Sequence, residues 1–130
     1  MKLNSRKVTV QKSASELCDF LTDVKNFETL MPENISKFEV LRENAFLFGL
    51  KGMPEIGLEV KEVEKPNKVV LGAMSDKLSF TLSANIEEIS EESSSVELLF
   101  EGEFNAMMGM MIKGPISKFI EVLATKMEQL

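Results

Sequence analysis

The side chains that could do acid–base or nucleophilic chemistry are few and scattered. Arg42, Lys51, Asp76 and Lys113 fall where strands or helices are expected to end, within reach of the mouth of an interior space. A carboxyl group such as that of Asp76, held in apolar surroundings, has its pKa raised toward the range useful for proton transfer. No two of the four stand at a spacing that forces them together, so ordinary surface charge is the simpler reading. Cys18 is the one cysteine. It lies beside an apolar stripe with no basic neighbour to activate the thiol, as a small structural hydrophobe would. His, Tyr and Trp are all absent. The usual general base, the usual zinc ligand and the phenolic proton donor are therefore missing together. There is no Ser–His pair, no phosphate-cradling glycine loop and no carboxylate pair on a helix face. The expectation is a protein with no catalytic residue, no metal and no cofactor.

What the chain has in quantity is soft apolar side chains, 9 Met and 9 Phe in 130 residues. Met107, Met108, Met110 and Met111 cluster where the last strand gives way to a helix, and Met31 and Met53 are expected near the same end. Flexible thioethers suit a pocket mouth that adapts to several apolar guests, and equally suit irregular gaps under a kinked helix. Gly109 and Gly114 would loosen that turn.

These residues need a frame. From Met108 onward, Ile112, Ile116, Phe119, Ile120, Leu123, Met127 and Leu130 recur at spacings of three and four, the stripe of an amphipathic helix. Gly114-Pro115 interrupts it, because Pro115 cannot donate to the Met111 carbonyl, and a kink or a fresh start is expected there. The piece from Pro115 to Leu130 alone would be about 24 Å long. A stripe of that length needs an apolar surface to lie on.

The preceding chain reads as that surface. Lys2 to Lys12 predicts a first strand. Ser13-Ala14-Ser15-Glu16 is a capping box opening a short helix with Leu17, Phe20, Leu21 and Val24 on one face. Phe27, Leu30 and Met31 predict a second helical piece ended by Pro32. Strands follow from about Ser36, with turns at Glu43-Asn44, Gly52-Met53-Pro54, Lys65-Pro66-Asn67 and Ser75-Asp76-Lys77, and a bulge near Lys61-Glu62. In the last hairpin Leu78, Phe80, Leu82, Ala84 and Ile86, then Val96, Leu98, Phe100, Gly102 and Phe104, alternate with mostly polar residues. That is an antiparallel sheet covered on one face. Gly102 fits a bend or a close approach by the helix, and Glu91 to Ser95 reads as a solvated loop.

The order is one strand, two short helices, six strands and a long helix, in a single domain over residues 1–130. A net charge of −6 without a basic stripe argues against nucleic acid and anionic membrane surfaces as partners. The start lacks the apolar run of a signal peptide, and no stretch approaches a membrane span, so the expected location is cytoplasmic, without stable membrane insertion.

The element order resembles the helix-grip superfamily that includes START lipid-transfer domains, the birch-pollen allergen group, polyketide cyclases and coenzyme Q-binding proteins. Local support comes from the capped helix at Ser13-Ala14-Ser15-Glu16, from Phe27…Leu30-Met31-Pro32, and from Phe104-Asn105 leading into the terminal helix. The glycine-rich loop of the plant allergens is replaced here by Arg42-Glu43-Asn44-Ala45. The resemblance implies an α+β fold in which a seven-stranded curved antiparallel sheet wraps a long C-terminal helix, with two short helices between strands one and two. It also implies a cavity for a hydrophobic small molecule: a lipid, an isoprenoid or a polyketide-like compound. On that reading Phe38, Phe48, Leu58, Phe80, Leu82, Leu98, Phe100, Met108, Met111, Ile112 and Phe119 would line it. The alternatives are a cyclase or dehydratase-type enzyme using Asp76 or a lysine, and a protein-interaction module with a filled core.

Overall fold

A strand pair with ten alternating positions anchors the architecture. In the structure, a computed structural model describing residues 1–51, 53, 55–74 and 79–130, β7 (Phe80–Ser90) and β8 (Ser93–Gly102) pair antiparallel from Phe80↔Gly102 to Ser90↔Ser93. Around them stand β1 (Lys2–Asn4), β2 (Val8–Val10), β3 (Ile35–Arg42), β4 (Ala45–Leu50), β5 (Ile56–Glu64) and β6 (Lys68–Ala73). Among the described residues these form one curved antiparallel sheet of eight strands in the order β1-β8-β7-β6-β5-β4-β3, with β2 also on β8. Between β2 and β3 come α1 (Ala14–Thr22) and a 3₁₀ helix (Val24–Leu30), and α2 (Ala106–Glu128) closes the chain. This is the helix-grip arrangement. The expected turn at Ser75-Asp76-Lys77, the strand start at Leu78, and Gly52 and Pro54 of the expected break lie outside the described residues.

Local chemistry accounts for most boundaries. The Glu16 amide donates to the Ser13 hydroxyl (3.1 Å) and starts α1. In the 3₁₀ helix Val24, Phe27 and Leu30 are buried at a spacing of three, the period of that helix, so one edge faces inward. The bulge expected near Lys61-Glu62 is a register shift between Val60 and Glu62.

Three expectations need correction. The first strand is two, both on β8, because the pairing is interrupted at Ser5. The Ser5 amide donates to the Leu98 carbonyl (2.9 Å), while its buried hydroxyl accepts from the Leu98 amide (3.0 Å). Ser93 to Ser95 are strand and not solvated loop. Ser94 and Ser95 are buried because β2 lies beside them, and the Ser94 hydroxyl donates to the Lys12 carbonyl (2.9 Å). A serine run looks like a loop only while its partner strand is unknown. Third, α2 makes no fresh start at Gly114-Pro115 but continues as one helix through Pro115. Pro115 and Met111 are both exposed, so the carbonyl that Pro115 cannot serve sits on the solvent side of the helix.

Asn105 caps α2, its side-chain oxygen accepting from the Met108 amide (2.8 Å). Ile112, Ile116, Phe119, Ile120, Leu123, Ala124 and Met127 face inward and are buried. The back of the helix is tied to the β1–β2 link. The Arg6 amide and guanidinium both donate to the Glu121 carboxylate (2.9 and 2.8 Å), and the guanidinium also reaches Thr125 (3.0 Å).

Candidate binding site under the C-terminal helix

Alternation fixes which side chains face α2. Phe46 and Phe48 on β4, Leu58 on β5, Leu71 on β6, Leu82 and Ala84 on β7, and Leu98 and Phe100 on β8 are all buried on the helix side. Their rings form two clusters. In one, Phe38 and Phe27 stack on Phe46 (5.3 and 5.1 Å), Phe46 meets Phe48 (6.0 Å), and Phe48 stacks on Phe119 of α2 (4.9 Å, 8° between planes). In the other, Phe100 meets Phe80 (4.9 Å) and Phe104 (6.0 Å) at the end of the sheet where α2 begins. Aromatic pairs at these distances add about 0.5–1.5 kcal/mol each beyond the area they bury.

Of the eleven sequence-predicted lining residues, seven are buried: Phe48, Leu58, Leu82, Leu98, Phe100, Ile112 and Phe119. Phe38, Phe80 and Met108 are half-buried against the same core. Met111 is misplaced in that set. It is 66% exposed, with Met107 at 75% and Met110 at 82%. Positions 108 and 112 already take the inward direction at this turn, and 107, 110 and 111 fall on the opposite side. Met31 is buried in the core, and Met53 is half-buried against it. The expected lining set left out Phe27, Phe46 and Phe104, although the alternation had already put Phe104 on the covered face. For Phe46 the signal was present, since it is two residues from Phe48 and so shares its face of the strand.

Between sheet and helix, a space bounded by Leu21, Phe27, Val69, Leu71, Leu82, Ala84, Leu98, Leu123 and Met127 amounts to about 10 Å³. That is about one water molecule's worth, and with no polar wall a water would have no partner there. Side chains fill this part of the interior. At the other end Phe80, Phe104 and Met108 are only half-buried, and the three exposed methionines stand beside them on the first turns of α2. Gly102 does give a close approach, with Phe104 and Phe80 as its nearest neighbours. A Cβ on Gly102 would stand 2.7 Å from the Phe104 ring and 2.8 Å from the Phe80 Cβ.

The inner surface carries no charge among the described residues. The buried polar side chains are Ser5, Ser94 and Ser95, all at the β1–β2 edge, and no buried side-chain polar atom there lacks a partner. Arg42 pairs with Glu59 in an exposed cluster with Lys61. Lys51 follows the far end of β4, about 20 Å away along the strand, and Lys113 is exposed on α2. Asp76 lies outside the described residues. Cys18 is fully buried, and burial pushes its thiol above the ordinary range, which makes it inert. Among the described residues no group of three His, Cys, Asp or Glu side chains could hold a metal, and no helix is long and apolar enough to cross a membrane.

No sequence-family model matches the chain, and no curated protein matches it by sequence. Solved structures match its fold from end to end. A START superfamily protein from Mycobacterium smegmatis superposes with a TM-score of 0.69 at 14% identity, covering 98% of this chain and 94% of that one. Norcoclaurine synthase from Thalictrum flavum gives 0.75 at 10% identity, covering 99% and 84%. The same plant enzyme in complex with dopamine and hydroxybenzaldehyde gives 0.72 at 10% identity, with the same coverage. At these identities the likeness establishes the START-like helix-grip fold and leaves activity to be argued from the site.

Proposed function

We propose that this protein binds a hydrophobic small molecule of the lipid, isoprenoid or polyketide-like kind at the open end between the sheet and the first turns of α2. One observation carries the reading. An inner surface that is apolar throughout ends in side chains left half in water, Phe80, Phe104 and Met108, next to exposed Met107, Met110 and Met111. Covering such a surface gains about 25 cal/mol for each Å² removed from water, so an apolar guest has a driving force there. Because the space deeper in amounts to about 10 Å³, a guest that goes further must displace side chains. Met108, with three rotatable bonds, moves at least cost. Proton-transfer chemistry has no charged group on the described inner surface, so the binding is proposed to occur without turnover.

A second reading has its own observation. Three exposed methionines on adjacent positions of one helix form a sticky surface that a protein partner could cover. One set of measurements separates the two. Native mass spectrometry of freshly purified protein, with organic extraction, should reveal a carried apolar molecule. An environment-sensitive apolar dye should bind saturably and be displaced by acyl chains or isoprenoids. Met108→Ala should weaken dye binding by at least severalfold, and Met107→Ser/Met110→Ser, which removes apolar area from the same end, should weaken it by a smaller factor. If the parent carries nothing and binds no dye, the small-molecule reading fails and the protein-partner reading replaces it. Steady conversion of a bound compound would instead establish an enzyme.

A further inference from the structure

We propose that Met107, Met110 and Met111 are a modification site through which hydroperoxides release the guest. Each thioether takes one oxygen and becomes a sulfoxide, and the apolar end turns polar. This rests on the apolar-guest reading and adds regulation to that site.

The oxidisable side chains of the molecule are unevenly placed. There is no His, Tyr or Trp. Cys18, the one thiol, is fully buried, and burial raises its pKa, so little thiolate is present to react. That leaves 9 methionines, all among the described residues. Met31 and Met127 are buried in the core, and Met53, Met74 and Met108 are half-buried. Met107, Met110 and Met111 are each at least 66% exposed. The next in order, Met1, is 36% exposed, with its methyl group against Gly109 of the same helix. An oxidant that meets the folded protein therefore reacts first at the open end.

Placement gives the reaction a consequence. Spacings of three and four put the three side chains on one side of α2, next to half-buried Met108, Phe80 and Phe104. The sulfur attacks the outer oxygen of the hydroperoxide, and the O–O bond breaks as the S–O bond forms. The peroxide's own proton passes to the departing oxygen, which leaves as an alcohol, or as water from hydrogen peroxide. Sulfur gives up two electrons and the peroxide takes them, so no further reactant is needed. The product is a polar, chiral group where a flexible apolar one stood. A guest covering it would strip water from a strong acceptor, and the described inner surface has buried polar side chains only at the distant β1–β2 edge. None of the three methionines belongs to the core, so the fold does not depend on their staying apolar. Methionine sulfoxide reductases reverse the change, which makes it a switch.

The test treats the parent and Met107→Leu/Met110→Leu/Met111→Leu with hydrogen peroxide for equal times, each protein being compared with its own untreated sample. Peptide mapping by mass spectrometry should find oxygen on Met107, Met110 and Met111 of the parent well before Met31 or Met127. The treated parent should bind an apolar dye at least about fivefold more weakly, the scale of covering one polar group without a partner, with its helix content by circular dichroism retained. The leucine variant keeps apolar bulk without the exposed sulfurs and should lose much less. Incubation with reductases for both sulfoxide epimers should restore the parent's affinity. Oxygen arriving as early on Met31 or Met127, unchanged dye binding by the oxidised parent, an equal loss in the variant, lost helix content, or no recovery each overturns the inference and leaves the apolar-guest reading intact. An untreated parent that binds no dye overturns the apolar-guest reading and the inference with it.

Discussion

Phe119→Ala tests the grip of the sheet on its helix most directly. Phe119 is 4% exposed, and its ring lies 4.9 Å from that of Phe48, which is 1% exposed, with 8° between the planes. Truncating a buried Phe to Ala costs about 3–5 kcal/mol, of which the lost ring pair is about 0.5–1.5. Because Phe119 also borders a cleft of about 50 Å³, its neighbours have space to relax, which places the expected loss near 3 kcal/mol. Against a total of about 5–15 kcal/mol, that should lower the melting temperature by on the order of 10 °C. With neither Trp nor Tyr in the chain, unfolding in urea is best followed by far-ultraviolet circular dichroism. The slope against urea should stay unchanged while the midpoint falls. Met111→Ala, at an exposed site on the same helix, should stay within about 0.5 kcal/mol of the parent. A double-mutant cycle with Phe48→Ala should show coupling on the scale of the ring pair. A loss below about 1 kcal/mol for Phe119→Ala, or coupling near zero, would refute the described packing of α2.

The other predictions use different contacts. Ser5→Ala removes the hydroxyl that accepts from the buried Leu98 amide and donates to the Arg6 carbonyl (2.9 Å), and should cost about 1–3 kcal/mol; an unchanged urea midpoint would sink this account of the split first strand. The Glu59 carboxylate, bonded to Lys61 and Arg42, titrates below the ordinary glutamate range. A lowered folded-state pKa means that its stabilising contribution is full above that range and is lost as pH falls through the folded value. Glu59→Gln should therefore flatten the acid limb of a stability-against-pH curve, and parallel curves for parent and variant would contradict the assignment. In hydrogen exchange, amides of residues 109–114 should exchange faster than those of 119–127, since the front of α2 buries Ile112 alone and lacks the bond at Pro115. Equal protection along the helix would rule out the uneven anchoring.

What was legible in the sequence was whatever a period could carry. The stripe from Ile112 to Met127 and the alternation from Phe80 to Gly102 report which side of an element is dry, and both faces lie where the periods put them. The same logic put seven of the expected lining residues at buried positions. It failed where a residue's surroundings come from distant chain. Ser94 looks like loop until β2 is known to lie beside it, and Ser5 looks like ordinary strand until its hydroxyl meets the Leu98 amide. Met111 failed for a different reason. The helical stripe offers one inward direction per turn, Met108 and Ile112 occupy it, and composition alone could not say which of four methionines would be left outside.

The division of labour along α2 links the fold to the proposed function. Behind Pro115, six buried side chains and the Arg6–Glu121 tie hold the helix to the sheet. Ahead of it, one buried isoleucine and one half-buried methionine face inward, and three methionines face water. A chain selected only for stability would gain by burying those methionines or making them polar, because exposed apolar area contributes nothing to the core and favours association. The same helix thus carries its stabilising contacts at one end and unspent apolar surface at the other, with the proline between them. Movement of the front turns need not disturb Phe119, Leu123 or Met127, so the open end can adapt to a guest while the packed end keeps its order. A described central space of about 10 Å³ beside an adaptable end is the arrangement that the proposed function needs, a site shaped around an apolar molecule as it binds.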